Sequence, residues 1–198
     1  GAALSEPAPE ALEAAQGRVG WERLAWEPEG HRLDLGGAAL DLGGIAKGYG
    51  VDRAVAALRG RGARDFIVDA GGDLFVAGAK GPSAWRVGIQ HPREPGSFLR
   101  VVSPSEGALV TSGDYERGAH VFDPRTGRPA RGCQAVTVWA PDALTADALA
   151  TAVFVLGPEE GLALLEAEPE AEGLVVGAEG SVGETSGFRH RVPEASPR

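Results

Sequence analysis

Asp65-Phe-Ile-Val-Asp-Ala-Gly-Gly-Asp-Leu-Phe-Val-Ala77 is the stretch that decides the fold class. An apolar run, Asp65–Asp69, meets the turn Ala70-Gly71-Gly72-Asp73 and gives way at once to a second apolar run, Leu74–Ala77. Four or five apolar residues bounded by glycines are a strand signature, and no room is left for a crossover helix between the two. The same rhythm continues downstream. Trp85–Gln90, Leu99–Ser103, Ala108–Thr111, His120–Phe122 and Ala135–Ala140 read as strands, most of them bounded by Gly or Pro, and Gly173–Val176 and Ser181–Glu184 follow later. Upstream, Trp21–Trp26 and Arg32–Leu35 read as short strands around the turn Glu27–Gly30. The echo Leu33–Gly37 and Leu40–Gly44 reads as two hairpin strands with similar turns.

Helical periodicity is confined to a few places. Val51, Ala54, Val55 and Leu58 recur at three- and four-residue spacing between Ala46 and Arg61, with Gly60 and Gly62 as the stop. Leu144–Leu156 and Glu159–Glu166 are two further helices, and Glu10–Arg18 is a short one after a loose lead-in, Gly1–Pro9. The acidic run Glu166–Glu172 reads as a solvated face and loop, and the chain ends in a polar tail. Strands outnumber helices and mostly follow one another directly. The expected class is therefore α+β, with mixed, mainly antiparallel sheets and a few packed helices, in a single domain over residues 1–198.

Composition narrows the function. The 198 residues are 43% hydrophobic and carry a net charge of −9, which disfavours nucleic acid or an anionic membrane as partner, since both require clustered Lys and Arg. Cys133 is the one cysteine, so there is no intrachain disulfide partner and no cysteine-based metal cluster. No run approaches the ~18 apolar residues of a membrane span. The chain starts at Gly1 and has no methionine, as expected of a processed chain, an excised domain or a fragment.

Three places can carry chemistry. In Asp41-Leu-Gly-Gly-Ile-Ala-Lys47-Gly48 a strand runs into paired glycines and then a helix. Close backbone approach, the N–H groups of a helix start and the Lys47 charge suit a phosphate, although a plain tight turn explains the glycines equally well. Asp147 and Thr151 lie four apart on a helix, so their oxygens share a face. A carboxylate and a hydroxyl together suit Mg²⁺, while a first-turn acid and a packing threonine is the alternative. His120 opens a short strand before the turn Asp123–Gly127 and is either a general base or a structural histidine.

Six blocks, in this order, resemble the FAD:protein FMN transferases, the ApbE family. They are Asp41-Leu-Gly-Gly-Ile-Ala-Lys-Gly-Tyr-Gly-Val-Asp52, Asp69-Ala-Gly-Gly-Asp73, Trp85-Arg-Val-Gly-Ile-Gln-His-Pro92, Thr111-Ser-Gly-Asp-Tyr-Glu-Arg117, His120-Val-Phe-Asp-Pro-Arg-Thr-Gly-Arg-Pro129 and Ala146-Asp-Ala-Leu-Ala-Thr151. The resemblance implies an ApbE-like fold that lacks the family's N-terminal segment. It implies Mg²⁺-dependent transfer of FMN from FAD to a Thr or Ser hydroxyl of a target protein, releasing AMP. The target is a protein acceptor such as a subunit of a membrane redox complex, and the setting is periplasmic or membrane-anchored. By position, Asp41, Lys47 and Phe122 match residues that contact FAD. Gly44 (through its backbone), Asp147 and Thr151 match the metal ligands, and His120 matches the proposed base. Some members carry a second acid directly before the metal-binding threonine, where this chain has Ala150. Two other readings fit the same residues, a Mg²⁺-dependent FAD pyrophosphatase giving FMN and AMP, and a non-catalytic flavin-binding module.

Overall fold

The Asp65–Ala77 stretch folds as a hairpin. Its strands, β3 (Phe66–Asp69) and β4 (Asp73–Ala77), pair antiparallel with Ile67 opposite Val76. Gly71 and Gly72 sit at φ 68° and 95°, the left-handed region that side chains resist, so the turn requires both glycines. The Asp69 side chain holds it, accepting the Gly72 N–H at 2.9 Å. The computed structural model describes residues 8–114 and 120–195.

Around this hairpin the remaining elements run in chain order. They are α1 (Pro9–Gln16), β1 (Ala25–Glu27), β2 (Arg32–Asp34), α2 (Ala46–Gly60), β5 (Val87–Gln90), β6 (Phe98–Val102), β7 (Gly107–Gly113), β8 (Phe122–Asp123), β9 (Arg128–Pro129), β10 (Cys133–Ala140), α3 (Ala143–Leu156), α4 (Pro158–Ala167), β11 (Glu172–Gly177), β12 (Val182–Glu184) and α5 (Phe188–Arg191). The main sheet has the order β12-β11-β10-β7-β4-β3, with every neighbouring pair antiparallel. β1–β2, β5–β6 and β8–β9 form separate two-stranded ribbons. The class is α+β, as the succession of strands implied.

The sheet is covered on both faces, and the period of two decides which residue goes where. Val110, Val136 and Val138 point to a core shared with Val51 and Val55 of α2, Val153 and Phe154 of α3, and Leu165 of α4. Leu109, Ala135 and Trp139 point the other way, to a second core closed by Ile89, Val102, Phe188 and Val192. Burying a side chain such as Phe154 or Phe188 stabilises the fold by about 1.5–3 kcal/mol relative to leaving it exposed. Thr137 is buried in the middle of β10, and its hydroxyl meets that of Thr111 at 2.9 Å, so neither oxygen is stranded.

Several expectations change. Trp21–Arg23 is a 3₁₀ turn, so the first strand begins only at Ala25. Among the described residues Leu40–Gly44 forms no strand and leads directly into α2, so the echo is not two strands. His120 and Val121 precede β8, whose two residues face β9, a strand the sequence did not reveal. Glu172 opens β11 rather than closing a loop, and the tail folds back as α5 with Phe188 fully buried. The end of the Thr111–Arg117 block lies outside the described residues. Among the described residues no helix is long and apolar enough to cross a membrane.

Candidate functional site

The site is built where α2 and α3 begin. Before α2, Asp41 closes a tight turn by accepting the Gly43 N–H on Oδ1 at 2.7 Å, and the Ile45 and Ala46 N–H groups both donate to the Leu42 carbonyl. This aims the first turn of α2 toward α3. The two helices then touch backbone to backbone. A Cβ on Gly48 would collide with the Ala143 carbonyl, so only glycine permits the approach.

The start of α3 is held by two carboxylates. Asp142, its N-cap, accepts the Thr145 N–H at 2.8 Å. Asp52 of α2 accepts the N–H groups of Ala143 and Leu144 at 2.8 and 2.9 Å. One turn further along α3, Asp147 is only 3% exposed, and its Oδ2 accepts the Gly48 N–H at 3.0 Å. Its other oxygen accepts no hydrogen bond among the described residues. One more turn brings Thr151, against which Gly44 packs directly, since a Cβ at 44 would stand 3.5 Å from the Thr151 hydroxyl.

Of these groups Gly44, Asp147 and Thr151 line a cavity of about 680 Å³. Asp41, Gly44, Lys47, His120, Phe122, Asp147 and Thr151, the seven residues singled out from the sequence, all contribute to its wall. They come from the turn before α2, the α2 start, the segment entering β8 and the α3 face. Lys47 places Nζ 2.6 Å from Oδ1 of Asp73, which is wholly buried, while the lysine stays about a third exposed. Its charge is thus shared with a fixed carboxylate rather than held out alone. His120 is exposed at the rim, and Phe122 is 56% exposed beside it. Ala150 is fully buried and does not line the cavity.

The donor set fits a hard cation. A buried carboxylate with one oxygen left over, a hydroxyl one turn away and the backbone of Gly44 suit Mg²⁺, which takes few protein ligands and fills its shell with water and phosphate oxygens. Among the described residues no group of three or more His, Cys, Asp and Glu side chains gathers to hold a metal, so such a cation would lean on oxygens brought by solvent and substrate.

Two of the smaller cavities that adjoin the first also touch some of the seven residues. One, of about 540 Å³, is walled by Leu40, Leu42, Ile45 and Ala152 and shares Gly44 and Thr151 with the first. The other, of about 380 Å³, meets the first at His120 and Val121. In its wall Arg93 grips Asp114 with two bonds of 2.6 and 2.8 Å, and that guanidinium holds the Asp114 carboxyl below its usual range. Burial pushes the Cys133 thiol on the same wall up to about 11, which keeps it protonated and unreactive.

Sequence reasoning gave Asp52, Asp73 and Asp114 no individual role, although each lies in a quoted block. Their partners are 91, 26 and 21 residues away, so no local spacing identifies them.

Comparison with known proteins bears on the family and the fold. The ApbE family model matches residues 1–175. The chain is 35% identical to the FAD:protein FMN transferase of Vibrio cholerae, over 81% of this chain and 52% of that protein. It is also 35% identical to that of Treponema pallidum, over 94% of this chain and 59% of the relative. It therefore spans little more than half the length of these curated relatives. Among solved structures, the ApbE protein of Thermotoga maritima superposes with a TM-score of 0.85 at 35% identity, covering 95% of this chain and 65% of the other. The flavin transferase ApbE of Vibrio cholerae gives 0.84 at 31% identity, covering 96% and 65%. With the family model spanning most of its length and the fold in agreement, the chain belongs to the ApbE family.

Proposed function

We propose that this chain transfers FMN from FAD to a Ser or Thr hydroxyl of an acceptor protein and releases AMP, with Mg²⁺ held by Asp147, Thr151 and the Gly44 backbone. The observation that carries this reading is the meeting of those three groups with Lys47 and His120 on one cavity wall. The similar proteins of Vibrio cholerae and Treponema pallidum are FAD:protein FMN transferases by name, which supports the same substrate and the same kind of acceptor here.

The charges of the wall favour a cation-assisted substrate. Among the described residues of the wall, Asp41 and Asp147 are carboxylates, and the one lysine, Lys47, is paired with Asp73. These carboxylates disfavour a bare pyrophosphate. Bound Mg²⁺ would supply neutralising charge and polarise the phosphoryl group. The chain's own residues do the rest. Lys47 has three ammonium donors, and Asp73 occupies one, leaving donors for a phosphate oxygen. The glycine turn at 43–44 keeps side chains away from the phosphates. Phe122 and the apolar groove at Leu40, Leu42 and Ala152 suit ring systems rather than phosphates. His120 takes the proton of the acceptor hydroxyl as its oxygen bonds to the FMN phosphorus. The bond from that phosphorus to the bridging oxygen breaks, and AMP carries the bridging oxygen away.

The test incubates the chain with FAD, Mg²⁺ and a candidate acceptor protein, and follows flavin on the denatured acceptor together with free AMP. The expected result is covalent flavin and AMP in equal amounts. FMN and AMP without covalent flavin would instead assign a hydrolase, and no AMP in any arm would contradict both.

A further inference from the structure

The α2–α3 crossing is tied at two points, and each helix supplies one carboxylate. From α2, Asp52 takes the N–H groups of Ala143 and Leu144, the first two of α3. From α3, Asp147 takes the N–H of Gly48, in the first turn of α2. Both pairs of attachment points, Gly48 with Asp52 and Ala143 with Asp147, are four residues apart, so the ties are one helical turn apart on each helix. Helix-start N–H groups have no acceptor in their own helix, and each carboxylate also meets the positive end of the opposing helix dipole. Added to the packing between the helices, two ties constrain the axial shift and the rotation of α3 against α2 more tightly than one tie would.

We propose that Asp52 is a positioning residue for the cation site, setting through the α3 start where Asp147 and Thr151 stand relative to Gly44 and Lys47. Asp52 is half-buried and does not line the cavity, so it acts through the helix and not on a ligand. Gly44 and Lys47 travel with the α2 start, and Asp147 and Thr151 with α3. Their spacing is therefore the relative placement of the two helices. Without Asp52, two α3 N–H groups lose their acceptor, and Asp147 alone ties the helices while also serving a cation. The inference rests on the assignment of Asp147 as a cation ligand.

Mn²⁺, a paramagnetic substitute for Mg²⁺, provides a readout that does not depend on turnover. Its binding to the whole chain would be titrated by electron paramagnetic resonance in the unsubstituted protein and in Asp52→Ala, Asp52→Asn, Asp147→Ala and Leu165→Ala, with a melting curve for each. Leu165 is buried in α4, so its truncation destabilises the core without touching the α2–α3 ties. Asp52→Ala is expected to weaken Mn²⁺ about tenfold or more, the scale seen when support behind a metal ligand is removed. Asp52→Asn should fall between, because its amide oxygen accepts one N–H while its NH₂ opposes the other. Leu165→Ala should melt earlier with Mn²⁺ affinity unchanged. If Asp52→Ala does not fold, Asp52→Asn carries the comparison. Unchanged Mn²⁺ affinity in the Asp52 variants, with binding lost in Asp147→Ala, would overturn the positioning role and leave the cation site standing. So would an equal loss in Leu165→Ala. Mn²⁺ binding by Asp147→Ala at full strength would remove the cation assignment itself, and this inference with it.

Discussion

At Asp147 the two carboxylate oxygens face different demands. Oδ2 secures Gly48, and the other is left for the cavity. Asparagine and alanine should therefore separate the two roles. Asp147→Asn keeps an acceptor for the Gly48 N–H and should melt within a few degrees of the unsubstituted protein, yet lose Mg²⁺-dependent FAD binding. Asp147→Ala leaves that N–H unpaired and should cost a further ~1–3 kcal/mol in a denaturant titration. At His120 the expectation is kinetic. His120→Ala should slow transfer more than it weakens FAD binding, and equal loss of both would speak against a base. The residues that share the cavity wall could be singled out because each stands in a short block that resembles the ApbE family. Asp73 and Asp52 gained roles only when folding brought Lys47 and the α3 start to them.

Among elements, α2, β10 and α3 were legible to within about two residues, because periodicity and flanking glycines or Pro agree there. Leu40–Gly44 was not, since alternating apolar residues make a strand only when a partner strand accepts their backbone. α5 was hidden for a related reason. Phe188 and Val192 are held by Trp139 and Leu174 across the second face, a packing partner that no local pattern displays. The α2–α3 crossing makes the sharpest prediction at this scale. Gly48→Ala must push the Ala143 backbone away, so it should destabilise the protein by about 1–3 kcal/mol or more and weaken Mn²⁺ binding at the same time. Loss of stability with intact Mn²⁺ affinity would mean that the crossing distance does not set the site.

Across the whole molecule, salt bridges fasten the peripheral layer to the sheet. Glu184 of β12 is gripped by Arg100 of β6 and by Arg189 of α5, and Arg100 above all holds its carboxyl below the usual 4.5. A folded-state value below the unfolded one adds stability that is full above pH about 4.5 and drains away as pH falls through the lowered value. The melting temperature should therefore drop on acidification below that point, and Glu184→Gln should flatten the drop while lowering stability at neutral pH. The antiparallel class was visible in the succession of strands, whereas the burial of the sheet on both faces was not, because β5 and β6 form a ribbon of their own between β4 and β7, and α5 reaches the second face from a distant part of the chain. The central claim is that a cation on Asp147 and Thr151 lets this cavity hold FAD. Its most direct test is a titration of FAD fluorescence with Mg²⁺ or with EDTA, for the unsubstituted chain and for Asp147→Asn. The account predicts saturable binding only for the unsubstituted chain with Mg²⁺; the same binding curve in all four arms would contradict it.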